Sequence, residues 1–239
     1  MQRENGVIQD GLDFDYETAE NVLRWALSTF GDKVAIASSF GAEDVVLIDM
    51  AVKINPAVRI FTLDTGRLHQ ETYDVMDEVR KRYNIPIEVC FPDKNKVEEM
   101  IGKHEFNLFY QSIELRKLCC YVRKVEPLKE KLKHLDAWVC GLRQEQSVTR
   151  THIKKAEFDS SSNITKINPL ADWTNSDVWD YIEKNDVPYN KLHDKNYPSI
   201  GCVPCTREIK PCEDIRAGRW WWEDPGKKEC GLHRSDIKN

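Results

Sequence analysis

The chain has 239 residues, 41% of them hydrophobic and 31% charged, with a net charge of -5. That length supports one large domain, or at most two small ones, around a buried core. A mean hydropathy of -0.59, the lack of any apolar run near the roughly 20 residues of a membrane span and the polar start Met1-Gln2-Arg3-Glu4-Asn5-Gly6 point to a cytoplasmic protein. They exclude a membrane protein and argue against a secretory leader, and the acidic balance excludes general affinity for nucleic-acid phosphates.

Val22, Leu23, Ala26, Leu27 and Phe30 recur at helical spacing, and Gly31 stops that helix. Residues 33–37 read as a buried strand, 44–52 as a mostly buried helix, 59–64 as a strand and 71–83 as a helix. Further strands are expected over 87–91 and 137–141, and further helices over 119–135 and 175–184. Strands alternating with helices predict crossover units, hence an α/β fold with a doubly wound, mainly parallel sheet. After Pro198 the composition shifts to Gly, Pro, Cys, Trp and basic residues, which predicts an irregular tail packed on the sheet domain with a mobile end.

Two turns follow strands. Ser38-Ser39-Phe40-Gly41-Ala42-Glu43-Asp44 brings small residues to a helix start, a setting that suits an anion but equally an ordinary capped turn. Leu63-Asp64-Thr65-Gly66-Arg67 follows the next strand. In a doubly wound sheet such turns gather at the carboxyl edge, where ligands bind.

The eight cysteines are the main lead. In a reducing compartment this density reads as metal binding or catalysis rather than disulfides. Cys202-Val203-Pro204-Cys205 places two thiolates on one side of a loop, and Cys119-Cys120 supplies a second pair. Adjacent cysteines on a helix diverge by about 100°, so the set fits a bulky cluster better than one zinc ion, though zinc stays open. Lys124 lies four residues beyond Cys120 and would share its helical face. Cys230, between Lys227-Lys228 and His233, stands where a lowered thiol pKa makes a nucleophile. Cys90 and Cys140 read as core residues, and Cys212 has no partner pattern. Arg143, Arg150, Arg207, Arg216 and Arg219 offer guanidinium groups suited to sulfate or phosphate. The run Trp220-Trp221-Trp222 reads as core, lid or docking surface.

Taken together, Ser38 to Asp44, Leu63 to Arg67, Cys119-Cys120 through Lys124, Gly141 to Arg150, Tyr197 to Cys205 and Glu229-Cys230-Gly231-Leu232-His233 resemble the bacterial adenylyl-sulfate reductases of the PAPS reductase family. The resemblance spans nearly the whole chain. It implies a single domain over 1–239, of adenine nucleotide alpha hydrolase type, with a sheet part over about 1–206 and a mobile catalytic tail over about 207–239. It implies a 4Fe–4S cluster on Cys119, Cys120, Cys202 and Cys205, and Cys230 as nucleophile. Substrate contacts are implied for Ser38, Ser39, Gly41, Leu63, Thr65, Gly66, Lys124, Arg143, Arg150, Arg216, Arg219 and His233. The loop reads Ser-Ser-Phe-Gly where many relatives read Ser-Phe-Ser-Gly. The implied reaction reduces adenylyl sulfate to sulfite and AMP in sulfate assimilation, with thioredoxin as the external reductant. The alternatives are a preference for the 3′-phosphorylated substrate and, from another class, a non-catalytic cluster-binding nucleotide sensor. Homo-oligomers are common among such enzymes.

Overall fold

The structure is a computed structural model that describes residues 3–4, 7–8, 13–146, 153–159 and 163–224. The chain divides into two compact units. Unit 1 comprises residues 1–62, 71–88 and 134–191, and unit 2 comprises 63–70, 89–133 and 192–239.

The elements run in the order β1 (Arg3–Glu4), β2 (Val7–Ile8), α1 (Ala19–Phe30), β3 (Val34–Ala37), α2 (Ala42–Ile54), β4 (Ile60–Leu63), α3 (Gln70–Tyr83) and β5 (Glu88–Cys90). They continue with α4 (Lys94–His104), α5 (Ile113–Cys120), α6 (Glu126–Leu132), β6 (Ala137–Val139), β7 (Ala156–Asp159), β8 (Ile164–Ile167) and α7 (Asn175–Asn185). The six-stranded sheet has the order β5-β4-β3-β6-β8-β7. Parallel pairing sets Ile36 opposite Ile60, Ala35 opposite Trp138 and Val139 opposite Ile167. Only β7 is known to run antiparallel, against β8. This is the α/β, mainly parallel sheet that the strand–helix alternation predicts.

Local sequence accounts for the elements of unit 1. The Thr18 hydroxyl caps α1 by accepting from Asn21 N, and Gly31 ends it at φ +53°, a conformation glycine adopts without strain. Helix α2 is buried on nearly all sides: Val45, Val46, Leu47, Ile48 and Ala51 have no measurable exposure. Such a helix belongs to the interior, against strands as apolar as Val34–Ala37. The capping box of Thr174 and Asp177 starts α7.

Several expectations change. The helix expected over 119–135 begins earlier, at Ile113, where Ser112 accepts from Leu115 N. It is then interrupted. Tyr121–Val125 forms a π turn in which Glu126 N donates to Tyr121 O. Pro127 explains the break, since it has no N–H to offer the Arg123 carbonyl one turn back. Helix α4 and the β7–β8 hairpin have no counterpart in the sequence reading. Among the residues of α4 only Met100 is buried, so its hydrophobic period is faint. Cys140 is buried, its Sγ 3.0 Å from Asn168 Oδ1. Cys90 is only half-buried on the edge strand β5, not the core residue expected.

Candidate redox and nucleotide site

Unit 2 gathers the four predicted ligands. Cys119 and Cys120 are the last two residues of α5, and the π turn that follows carries Arg123 and Lys124. Val203–Cys205 is a single 3₁₀ turn with Pro204 near its start, closed by Cys205 N donating to Cys202 O at 2.9 Å. Cys119, Cys120, Cys202 and Cys205 all line one small hollow, partly open to solvent, together with Arg67, Arg123 and Lys124. Cys120 and Lys124 therefore do face the same space.

The loop over residues 63–67 is bonded to this cysteine shell. Gly66 stands at φ +69° and its N–H donates to Asp64 Oδ1 at 2.7 Å, while Arg67 N donates to Thr65 Oγ1 at 3.2 Å. Thr65 Oγ1 lies 3.3 Å from Cys202 Sγ, Arg123 Nη1 donates to Thr65 O at 2.7 Å, and Val203 N donates to Arg67 O at 2.8 Å. Leu63, Thr65, Gly66 and Lys124 thus fall in the unit that holds the four cysteines.

Burial works against ionisation of two of the four thiols. Burial pushes the Cys205 thiol up to about 12, helped by nearby Cys202 and opposed by Lys124 and Arg219. Burial also raises Cys119, against the pull of Arg123. Ligation there would displace protons from these thiols. Three buried donors, Arg123 Nε, Arg219 Nε and Trp220 Nε1, have no acceptor among the described residues. Buried donors left in this state are costly, and sulfur acceptors in the hollow would suit them. Among the described residues no three Cys, His, Asp or Glu side chains are gathered as ligands of one metal ion.

Arg219 plays a packing part here. Its guanidinium lies 4.7 Å from the Trp220 ring centroid, Nη1 donates to Ile200 O at 3.0 Å, and any Cβ at Gly201 would collide with it. Arg216 is half-buried in a turn where its N–H donates to Asp214 Oδ1. The largest feature missed in the sequence is Arg116, which also lines the hollow. It makes two bonds to Glu223, at 2.8 and 2.7 Å, with both side chains almost fully buried, and covers the Trp220 ring at 4.7 Å. Its position three residues before Cys119, on the same helical face, was the available signal.

Unit 1 holds the other predicted contacts. The Ser38 hydroxyl is buried and accepts from Phe40 N at 3.1 Å. Ser39, exposed, donates from N and Oγ to Asp44 Oδ2 at 2.6 and 2.7 Å. Directly after them Phe40, fully buried, stands at φ +58°, a costly conformation for a residue with a Cβ, and one that marks functional loops. Gly41 caps α2 without a side-chain bond. Burial, with Glu43 beside it, raises the Asp44 carboxyl to about 6 against the Ser39 hydrogen bonds. Arg143 is buried. Its Nε and Nη2 bond Glu43 Oε1 at 3.0 and 2.8 Å, and its Nη1 bonds Glu145 and the Trp173 carbonyl. Arg150, Cys230 and His233 lie outside the described residues.

The sheet order and helical cover define the adenine nucleotide alpha hydrolase-like class. The FMN adenylyltransferase of Candida glabrata shares that fold at a TM-score of 0.55 and 14% identity, over 82% of this chain and 67% of that one. More specifically, residues 33–208 match the phosphoadenosine phosphosulfate reductase domain, and the chain belongs to that family of sulfur-group oxidoreductases. It is 52% identical over 206 residues to the adenosine 5′-phosphosulfate reductase of Burkholderia cepacia, covering 86% of this chain and 82% of that protein. It is 49% identical over 206 residues to that of Allochromatium vinosum, covering 86% and 80%. Among solved structures, phosphoadenylyl-sulfate reductase from Candida auris in a phosphate complex matches at a TM-score of 0.71 and 31% identity, over 82% of this chain and 93% of that one. No helix among the described residues is long and apolar enough to cross a membrane.

Proposed function

We propose that the protein reduces adenylyl sulfate to sulfite and AMP in sulfate assimilation in the cytoplasm, with thioredoxin as electron donor. The observation that carries this reading is the single hollow lined by Cys119, Cys120, Cys202 and Cys205 together with Arg67, Arg123 and Lys124. In this reading the four cysteines hold a 4Fe–4S cluster, which supplies electrostatic and structural support when bound and takes no part in electron flow.

The chemistry follows from thiol and anion reactivity. The Cys230 thiolate attacks the sulfuryl sulfur of the substrate. A sulfur–sulfur bond forms, the bond between sulfur and the phosphate oxygen breaks, and AMP leaves with the electron pair. The product is an S-sulfonate on Cys230. Lys124 and Arg123, with Arg150 and His233 in the same reading, neutralise the charge that spreads over nucleophile, sulfate and leaving group. In this reading the Leu63–Gly66 turn, in the unit that holds the cysteines, contacts the nucleotide. A reductant thiolate next attacks Cys230 sulfur and sulfite departs with the bonding pair. The reductant's second thiol closes its own disulfide and frees Cys230. Two electrons from the dithiol account for the reduction.

Cys230→Ser tests the central step. It should abolish sulfite release, leaving iron content and visible absorption as in the wild type; sulfite release at the wild-type rate would remove Cys230 as nucleophile. The 31% identity to a phosphoadenylyl-sulfate reductase favours the 3′-phosphorylated substrate as a second reading. Comparing kcat/KM for the two nucleotides decides between them, and the non-phosphorylated one should turn over faster. Nucleotide binding with no sulfite release from either would leave only a sensor.

A further inference from the structure

Of the eight large hydrophobic side chains exposed among the described residues, seven belong to unit 2. Four are held in one neighbourhood: Phe106, Val203, Tyr110 and Trp221, with 68, 48, 45 and 40% of their surface exposed. The Tyr110 ring meets Trp222 at 4.5 Å and Trp221 at 6.3 Å, and its hydroxyl donates to the carbonyl of Pro204, next to Val203. Arg67 ties in Phe106 by donating to its carbonyl at 2.7 Å. The Tyr110 and Trp221 rings are fixed by bonds and stacking, so displaying them costs little further side-chain entropy on binding.

We infer that this aromatic face is where the dithiol reductant docks to reach Cys230, an inference that rests on the reaction proposed above. The tether carries the argument. Cys230 follows Asp224 by six residues, and an extended chain spans at most about 3.6 Å per residue, so its Cα stays within about 22 Å of that of Asp224 and its sulfur within roughly 25 Å. Glu223 just before it is clamped by Arg116, and Trp221 and Trp222 lie immediately upstream. A protein whose thiolate attacks the Cys230 sulfur must therefore reach within this radius, which is centred on this part of unit 2. Transient redox encounters use small interfaces, in which a few aromatic anchors carry most of the binding energy. Residues 225–239 of this chain contain only Leu232 and Ile237 as large apolar side chains, too little to cover four such groups.

The experiment measures two half-reactions on the anaerobic holoprotein. In Phe106→Ser/Trp221→Gln, the KM for reduced thioredoxin should rise about tenfold, the loss expected of interface anchors. Formation of the Cys230 S-sulfonate without reductant, read by intact mass, and sulfite release by dithiothreitol should stay as in the wild type. An unchanged thioredoxin KM overturns the docking face. A smaller species on gel filtration also overturns it, and assigns the face to a second copy of the chain. If the wild type forms no S-sulfonate, the reaction itself fails and the docking face fails with it. Should the double variant lose its visible absorption, the unaltered protein gives the answer. A mixed disulfide of Cys230 with a thioredoxin lacking its resolving cysteine should protect the amides of residues 106–110 and 220–222 from hydrogen exchange. Protection confined to other segments overturns the inference.

Discussion

Helix α2 of unit 1 buries valines, leucine and isoleucine on nearly every side, whereas α5 of unit 2 buries an arginine and a cysteine. The core of unit 2 is made of Met100, Leu108, Phe109, Val122 and Trp220 with Cys119, Cys202 and Cys205, and buried Arg116, Arg123 and Glu223 stand against it. Unit 1 has buried charges too, at Asp44, Asp49 and Arg143, but they sit beside a sheet whose interior strands are apolar. Burial of apolar surface is non-directional. A core of thiols and guanidinium groups depends on matched pairs and loses heavily when one partner goes.

The widest gap between the units should therefore appear on cutting the Arg116–Glu223 pair. Both side chains are nearly inaccessible, so Arg116→Met alone leaves a buried carboxylate and should cost about 3–5 kcal/mol. Glu223→Leu alone should cost a similar amount, and the double variant should recover much of the loss. Denaturant midpoints of the four proteins measure this. A cost below about 1 kcal/mol for either single change, a value typical of exposed ion pairs, would put unit 2 on the same footing as unit 1.

The same contrast explains what could be read from the sequence. Unit 1 was legible because periodicity reports apolar burial: β3, α2 and α7 fall within two residues of the expected bounds, and α1 ends at Phe30 as expected. The cysteine pairs were legible by residue type and spacing. The π turn at Tyr121–Val125 was not, because it arises from a missing donor at Pro127 and leaves the hydrophobic period almost intact. Nor was Arg116–Glu223, whose partners are 107 residues apart. A buried charge pair carries no local signal; only the fold brings its halves together. Arg143 is instructive in another way. Its guanidinium pairs with Glu43 and Glu145, carboxylate partners that residue type alone cannot reveal.

A smaller effect separates the units by pH. The Asp44 carboxyl titrates near 6 in the fold and near 3.8 when unfolded. The folded protein therefore binds the proton more tightly, and folding takes up a proton between those values. Stability from this group is greatest below about pH 4 and is lost as the pH rises through 6. Two pK units correspond to about 3 kcal/mol. Asp44→Asn should flatten that fall, which urea unfolding at pH 4, 5, 6 and 7 would show as a difference from wild type shrinking with acidity. A difference constant over this range would mean that Asp44 is solvated and that the turn beneath α2 is looser than its bonds to Ser39 indicate.

Gly141→Ala probes the same turn from the other side and should have the least effect of the three. The segment after β6 passes so close to α2 that an added Cβ would sit 2.7 Å from Asp44 Oδ1, 2.8 Å from Glu43 Cβ and 3.3 Å from the Glu43 backbone carbon. The carboxylate can swing away at the expense of a Ser39 bond, but the Glu43 backbone cannot, so the helix start must shift. Overpacking of this kind typically costs about 1–3 kcal/mol. The shift should reach the Glu43 side chain, which holds Arg143. The substitution should then raise the KM for the nucleotide more than it lowers kcat. A double-mutant cycle with Asp44→Asn locates the strain: relief of the Gly141→Ala cost in the double variant places it at the carboxylate, and simple additivity places it in the Glu43 backbone.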